Sequence, residues 1–232
     1  MFPRRDTDAL QAVTVNTAGG ITAGDRFTLD SRAEQGAALT LTTQAAERAY
    51  RATGTEAGRL DTQLSAGPNA RLTWLPQETI LFEGCNLRRR LHVDLAETAQ
   101  LLLCEPLVFG RAAMGESLRA ARFDDRITVT RAGAPLFLDA MRLDGDIAAH
   151  LARPFTGAGA GALATLLLVR PDAEGQLAPI RAMLPDTGGA SLLAPDVLLL
   201  RLLAYDGFDL RRSLVPVLRR LLDSDLPRPW MI

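Results

Sequence analysis

Short β-like runs separated by turn residues constrain this chain more than any other feature. Residues 27–29 and 38–43 lie either side of a turn at Gln35-Gly36, and residues 60–65 and 71–75 flank Ala66-Gly67-Pro68-Asn69. Residues 127–130 and 136–143 flank Arg131-Ala132-Gly133-Ala134-Pro135. Across 87–95 the pattern alternates, with Leu87, Leu91, Val93 and Leu95 on one face and Arg88, Arg90, His92 and Asp94 on the other. Residues 100–108 are more continuously apolar, as in a strand buried on both faces. Strands recurring about every 8–12 residues predict a sandwich, a barrel or a stacked-sheet solenoid. No sequence repeat accompanies them, so a simple repeat solenoid is not expected.

The C-terminal third reads differently. Gly157-Ala158-Gly159-Ala160-Gly161 is a flexible connection, 163–169 a buried strand, and 177–184 a short helix ended by Pro185. Residues 209–222 place Leu210, Leu214, Val217, Leu218, Leu221 and Leu222 near helical spacing with arginines between them, and Pro216 should bend or interrupt that helix. The expectation is a mostly-β single domain over 1–232, with about two helices late in the chain.

Composition excludes some functions. Basic and acidic residues nearly balance, at 26 and 27, which argues against a nucleic-acid binder. Every base is arginine, a side chain suited to protein interfaces. The first residues contain no apolar signal segment, and 163–169 is too short to span a bilayer. With Cys85 and Cys104 read as free thiols, the expected compartment is the cytoplasm.

Five segments concentrate polar residues in unusual settings. Asn16-Thr-Ala-Gly-Gly-Ile-Thr-Ala-Gly-Asp25 is either a glycine-rich turn or a backbone cradle ending in a carboxylate, and it is not a P-loop. Thr42-Thr-Gln-Ala-Ala-Glu-Arg-Ala-Tyr-Arg51 leaves a threonine-rich strand for charged residues. Trp74-Leu-Pro-Gln-Glu-Thr-Ile-Leu-Phe-Glu83 sets Glu78 inside an apolar run, as a buried charge or an exposed bulge. In the segment from Cys104 to Glu116, Glu105 and Arg111 are placed to pair within a core. Leu143-Asp-Gly-Asp-Ile147 is a turn signal or a pair of carboxylates able to share one cation.

Taken in order, NTAGGITAGD, TTQAAERAYR, LPQETILFEG, EPLVFGRAAMGE, RLDGD and the terminal LPRPW resemble the UreD (UreH) urease accessory family, from about Asn16 to Trp230. Ala23 stands where that family often has glycine. Family members usually carry a longer leader holding a further strand before Phe2-Pro3-Arg4, so that leader is expected to be missing and one sheet edge open. The resemblance implies a β-helix-like stack of sheets. It also implies a non-catalytic scaffold that binds apo-urease and UreF, and through UreF the GTPase UreG, and that conducts Ni2+ into urease during GTP-dependent maturation.

A storage site for nickel would use imidazole or thiolate, and His92 and His150 are far apart with no paired motif. No tightly bound cofactor is therefore expected. The family-matched acids Asp25, Glu47, Glu78, Glu105, Glu116, Asp144 and Asp146 are the candidates for a transient passage, because carboxylates and water hold a hydrated cation weakly enough to release it. The alternative is a small β-rich hydrolase with Cys104 or Asp144 as nucleophile, although no Gly-x-Ser-x-Gly elbow is present. A third reading is a binding module that chaperones urease without passing metal.

Overall fold

The computed structural model describes residues 2–6 and 9–231. The chain begins with an antiparallel pair, β1 (Phe2–Asp6) and β2 (Ala9–Thr14). It then winds between two layers through β3 (Arg26–Ala33), β4 (Ala38–Thr43), the short β5 (Glu47–Ala49), β6 (Gly58–Ala66), β7 (Arg71–Leu75), the short β8 (Thr79–Leu81), β9 (Asn86–Leu95) and β10 (Gln100–Phe109). Two long strands follow, β11 (Ala121–Arg131) and β12 (Ala134–Gly145), then α1 (Ile147–Leu151) and β13 (Ala162–Val169). The chain finishes through α2 (Ala173–Met183), β14 (Gly188–Ala194), β15 (Val197–Ala204) and α3 (Gly207–Leu221).

Strands β3, β6, β9 and β11 run parallel in one sheet, closed at its far edge by antiparallel β12. Strands β2, β4, β7 and β10 run parallel in the other, which β13, β15 and β14 extend antiparallel. The turns at 34–37, 67–70 and 96–99 therefore carry the chain from one sheet to the other. They also stack: Gly67 N–H donates to Ala33 O, Ala96 N–H to Ala66 O, and Ala132 N–H to Leu95 O, each at 2.8 Å. Ala132-Gly133, both at positive φ, breaks this pattern with a tight hairpin that ends the winding.

This is a solenoid without a sequence repeat. Arg26 pairs with Arg59, Gly58 with Leu87, and Asn86 with Arg122, so successive turns of the winding differ in length. Only inward positions must agree, and apolar size at period two satisfies them. Leu41, Leu72, Leu101 and Leu103 from one layer meet Leu64, Leu91, Val93, Ile127 and Val129 from the other.

A second core lies on the opposite face of the extended sheet. Strand β13 is buried along its whole length, and α3 covers it with Leu210, Leu214, Val217, Leu218 and Leu221. Asp206 caps α3 by accepting from Asp209 N–H at 2.8 Å. The helix runs through Pro216 as one element. Pro216 is exposed, so the carbonyl it leaves without a helical partner faces water. Helix α2 starts four residues before the expected position and includes Pro179, and α1 is a short helix that was not anticipated. No helix of the described residues is long and apolar enough to cross a membrane.

Candidate functional site

Between the two sheets lies a cavity of about 410 Å3. Its lining runs from exposed Thr17, Ala18 and Gly19 to buried Trp74, Gln77, Thr79, Arg89 and Glu105, so it opens at the surface and ends in the interior. Four of the motif segments meet there. Residues 16–19 come from the first, 43–48 from the second, Pro76, Gln77 and Thr79 from the third, and Glu105 from the fourth.

Glu47 sits on the outer part of this wall. Both its oxygens accept from Asn16 Nδ2, at 2.9 and 3.0 Å, and its own backbone N–H donates to Glu78 O. Burial pushes its carboxyl above the usual glutamate range, against the opposing pull of Asn16 and Arg48. Asn16 reaches Glu47 because the loop crosses Tyr50 at Gly20. There φ is +157°, and a Cβ would lie 2.3 Å from the Tyr50 ring and 2.6 Å from Arg48 O. A Gly20→Ala chain is expected to lose about 1–3 kcal/mol of stability in a urea titration. Gly36→Ala, with open space around the added carbon, should lose less.

At the inner end the walls are joined by a buried ionic cluster. Arg89, from β9, makes a two-pronged contact with Asp125 of β11 through Nε at 2.9 Å and Nη2 at 2.7 Å. Its Nη1 crosses to the other sheet, donating to Glu105 Oε2 at 2.6 Å and to Thr79 Oγ1 at 3.1 Å. The second Glu105 oxygen accepts from Trp74 Nε1. Burial pushes the Glu105 carboxyl up, while Arg89 and Trp74 pull it down. Both Glu105 oxygens face N–H donors, which is the geometry of a carboxylate. Burial alone would lower Arg89, but Asp125 and Glu105 more than reverse it and hold the guanidinium charged.

Gln77 adds a further sign of what the cavity contains. Arg211 Nη1 donates to Gln77 Oε1 at 2.7 Å, which fixes the orientation of the amide because a guanidinium cannot accept. The Gln77 Nε2 is buried without a partner among the described residues. A buried amide N–H2 of this kind calls for ordered water in the cavity it lines.

The expected pairing of Glu105 with Arg111 is not formed. Glu105 is held by Arg89, and Arg111 closes its own loop onto Glu116 at 2.9 Å while lying 4.3 Å above the Phe82 ring. Register explains the difference: Arg89 is on the inward face of β9, between Leu87 and Leu91. Of the seven acids, Glu47 and Glu105 line the cavity. Glu78 is adjacent through its backbone and faces Arg211 at 3.6 Å.

The remaining four lie apart from the cavity lining. Asp25 closes a turn by accepting from Thr22 N–H, and Asp146 caps α1 by accepting from Ala149 N–H. Asp144 pairs with Arg122 on the surface. Glu116 is held below the usual carboxylate range, chiefly by its bond to Arg111. Among the described residues no three His, Cys, Asp or Glu side chains converge on a metal-sized site. The hydrolase reading finds no geometry either. Cys104 is fully buried with its thiol pushed up by that burial, and Asp144 has an arginine in place of a base.

The model of the UreD urease accessory protein family matches residues 1–231. A urease accessory protein UreD of Ruegeria pomeroyi is 53% identical over 232 residues, covering 100% of this chain and 90% of its own length. A second, from Ruegeria sp., is 55% identical over 240 residues, covering 100% of this chain and 80% of its own. A third, from Roseobacter denitrificans, is 50% identical over 232 residues, with coverages of 100% and 85%.

Proposed function

The chain belongs to the UreD urease accessory protein family, and from that premise we propose that it is a non-catalytic scaffold through which Ni2+ passes to urease. In this reading it stands between UreF, which brings the GTPase UreG, and apo-urease, and the metal is cargo. The observation that carries the proposal is the cavity between the sheets, with Glu47 and Glu105 on its wall, where four motif segments converge.

The chemistry suits transit. Glu47 accepts hydrogen bonds from the water ligands of a hydrated dication, and no imidazole or thiolate lines the cavity to trap it. Glu105 offers field and no free oxygen, since Arg89 and Trp74 occupy both. Glu105 and Asp125 share the single Arg89 at the inner end, so the acids there outnumber the guanidinium that joins them.

Glu47→Gln keeps the shape and the Asn16 contact to one oxygen while removing the charge. In maturation reactions containing UreF, UreG, GTP and apo-urease, nickel per urease is expected to fall about fivefold, the equivalent of one lost charge-assisted contact. Because burial raises the Glu47 pKa, the carboxylate is lost on acidification at a higher pH than for an exposed glutamate. Wild-type transfer should weaken correspondingly early, and the variant should lack that step. Full nickel loading by Glu47→Gln, with the complex intact, would leave the binding-only scaffold as the better account.

A further inference from the structure

Apart from Thr28, which borders the cavity, the outer face of the five-stranded sheet lies away from it. Its outward side chains fall into rows set by strand pairing. One row reads Arg26, Arg59, Arg88, Asp124 and Arg142 across β3, β6, β9, β11 and β12. The next reads Thr28, Asp61, Arg90, Arg126 and Ala140. Neighbouring strands lie about 4.8 Å apart, so Arg26, Arg59 and Arg88 set three like charges side by side. Directly opposed like charges destabilise a sheet.

Asp124 relieves only the Arg88 end of that row. It is 3.0 Å from Arg90 and 3.8 Å from Arg88. Its carboxyl is held low first by the Arg90 hydrogen bond and then by the fields of Arg90, Arg88 and Arg142. The chain as a whole carries a net charge of −1, so this face is a segregation of charge within a nearly neutral molecule.

We infer that this face docks a partner protein through a carboxylate-bearing patch on that partner. Planar guanidiniums on a flat sheet match carboxylates in pairs, and acids from outside relieve a repulsion that the isolated chain carries. Asp61 and Asp124, set among the arginines, repel a continuous phosphate backbone, whereas a folded partner can match them individually. The inference rests on the scaffold reading only for the choice of probes.

Arg59→Glu places an acid between Arg26 and Arg88. Its thermal midpoint is expected to rise by about 1–3 °C. The double variant Arg59→Glu/Arg142→Glu is then compared with wild type for binding to purified apo-urease and to UreF, at low and high salt. Affinity for one of the two should fall at least about tenfold at low salt, with the gap closing as salt rises. Unchanged affinity for both partners overturns the inference and leaves the scaffold intact. A lower midpoint for Arg59→Glu overturns the repulsion it is built on. Wild type that binds neither protein removes the scaffold reading and this occupant together. Tighter binding to duplex DNA than to either protein overturns it in favour of a polyanion.

Discussion

Replacing Arg89 by methionine is expected to lower stability by about 3–5 kcal/mol, a fall of about 10 °C in thermal midpoint for a chain of this size. The side chain is 7% exposed and is the shared partner of Glu105 and Asp125. Without it, two carboxylates face each other across the joint between the sheets, with the Trp74 indole N–H on Glu105 as the remaining neutral donor. The loss measures stranded charge, not the net value of the cluster. Exchanging Glu105 and Asp125 for leucine as well should therefore recover most of it.

The pH dependence gives a separate check. Burial already raises the Glu105 pKa, and losing Arg89 raises it further. A carboxyl whose folded pKa lies above its unfolded value costs stability above that pKa and ceases to cost it as pH falls. The gap between wild type and Arg89→Met should thus narrow as the pH falls through the raised Glu105 pKa. A gap that stays constant on acidification would mean that Glu105 is already neutral in the native protein.

The same residue shows how far the chain could be read before its structure was known. Alternation across β9 was plain, and so was the apolar face that Leu87, Leu91, Val93 and Leu95 form. Counting in twos from Leu87 reaches Arg89, so parity alone marks a guanidinium aimed into the core. For Glu105 the sequence suggests Arg111 as partner, six residues along the same strand-and-loop segment. Sequence distance says little about which strand crosses above Glu105. The chain supplies the charges, and the winding decides which of them meet.

Local signals fared well where one element decides the outcome. The all-buried β13 and the apolar stripe of α3 follow from composition and period. Turn chemistry located 34–37 and 67–70, but a turn between sheets and a turn within one use the same residues. What distinguishes them is the stacking of Gly67 on Ala33 and of Ala96 on Ala66, a contact between turns of the winding that no single turn encodes. The cavity was illegible for the same reason. Asn16, Glu47, Gln77 and Glu105 look like unrelated polar interruptions until the parallel register brings their segments together.

The terminal LPRPW segment supplies the second large effect, since Trp230→Ala is expected to cost about 3–5 kcal/mol. The indole is 3% exposed, its Nε1 donates to Leu75 O at 2.9 Å, and Arg211 lies 4.9 Å from its ring centre. Trp230→Phe keeps the ring and strands the Leu75 carbonyl, at about 1–2 kcal/mol. Urea titrations of the two variants separate packing from the hydrogen bond, and equal losses would rule the packing contribution out. The consequence reaches the cavity, because Arg211 also holds the Gln77 amide that lines it. The chain has two tryptophans, so Trp230→Phe leaves Trp74 as the sole indole. Trp74 sits on the cavity wall beside Glu105. If Ni2+ enters, this open-shell ion should quench the remaining fluorescence in a saturable manner, and adding Glu47→Gln should shift that curve to higher nickel. Quenching that is linear in nickel and indifferent to Glu47 would place the cation outside the cavity.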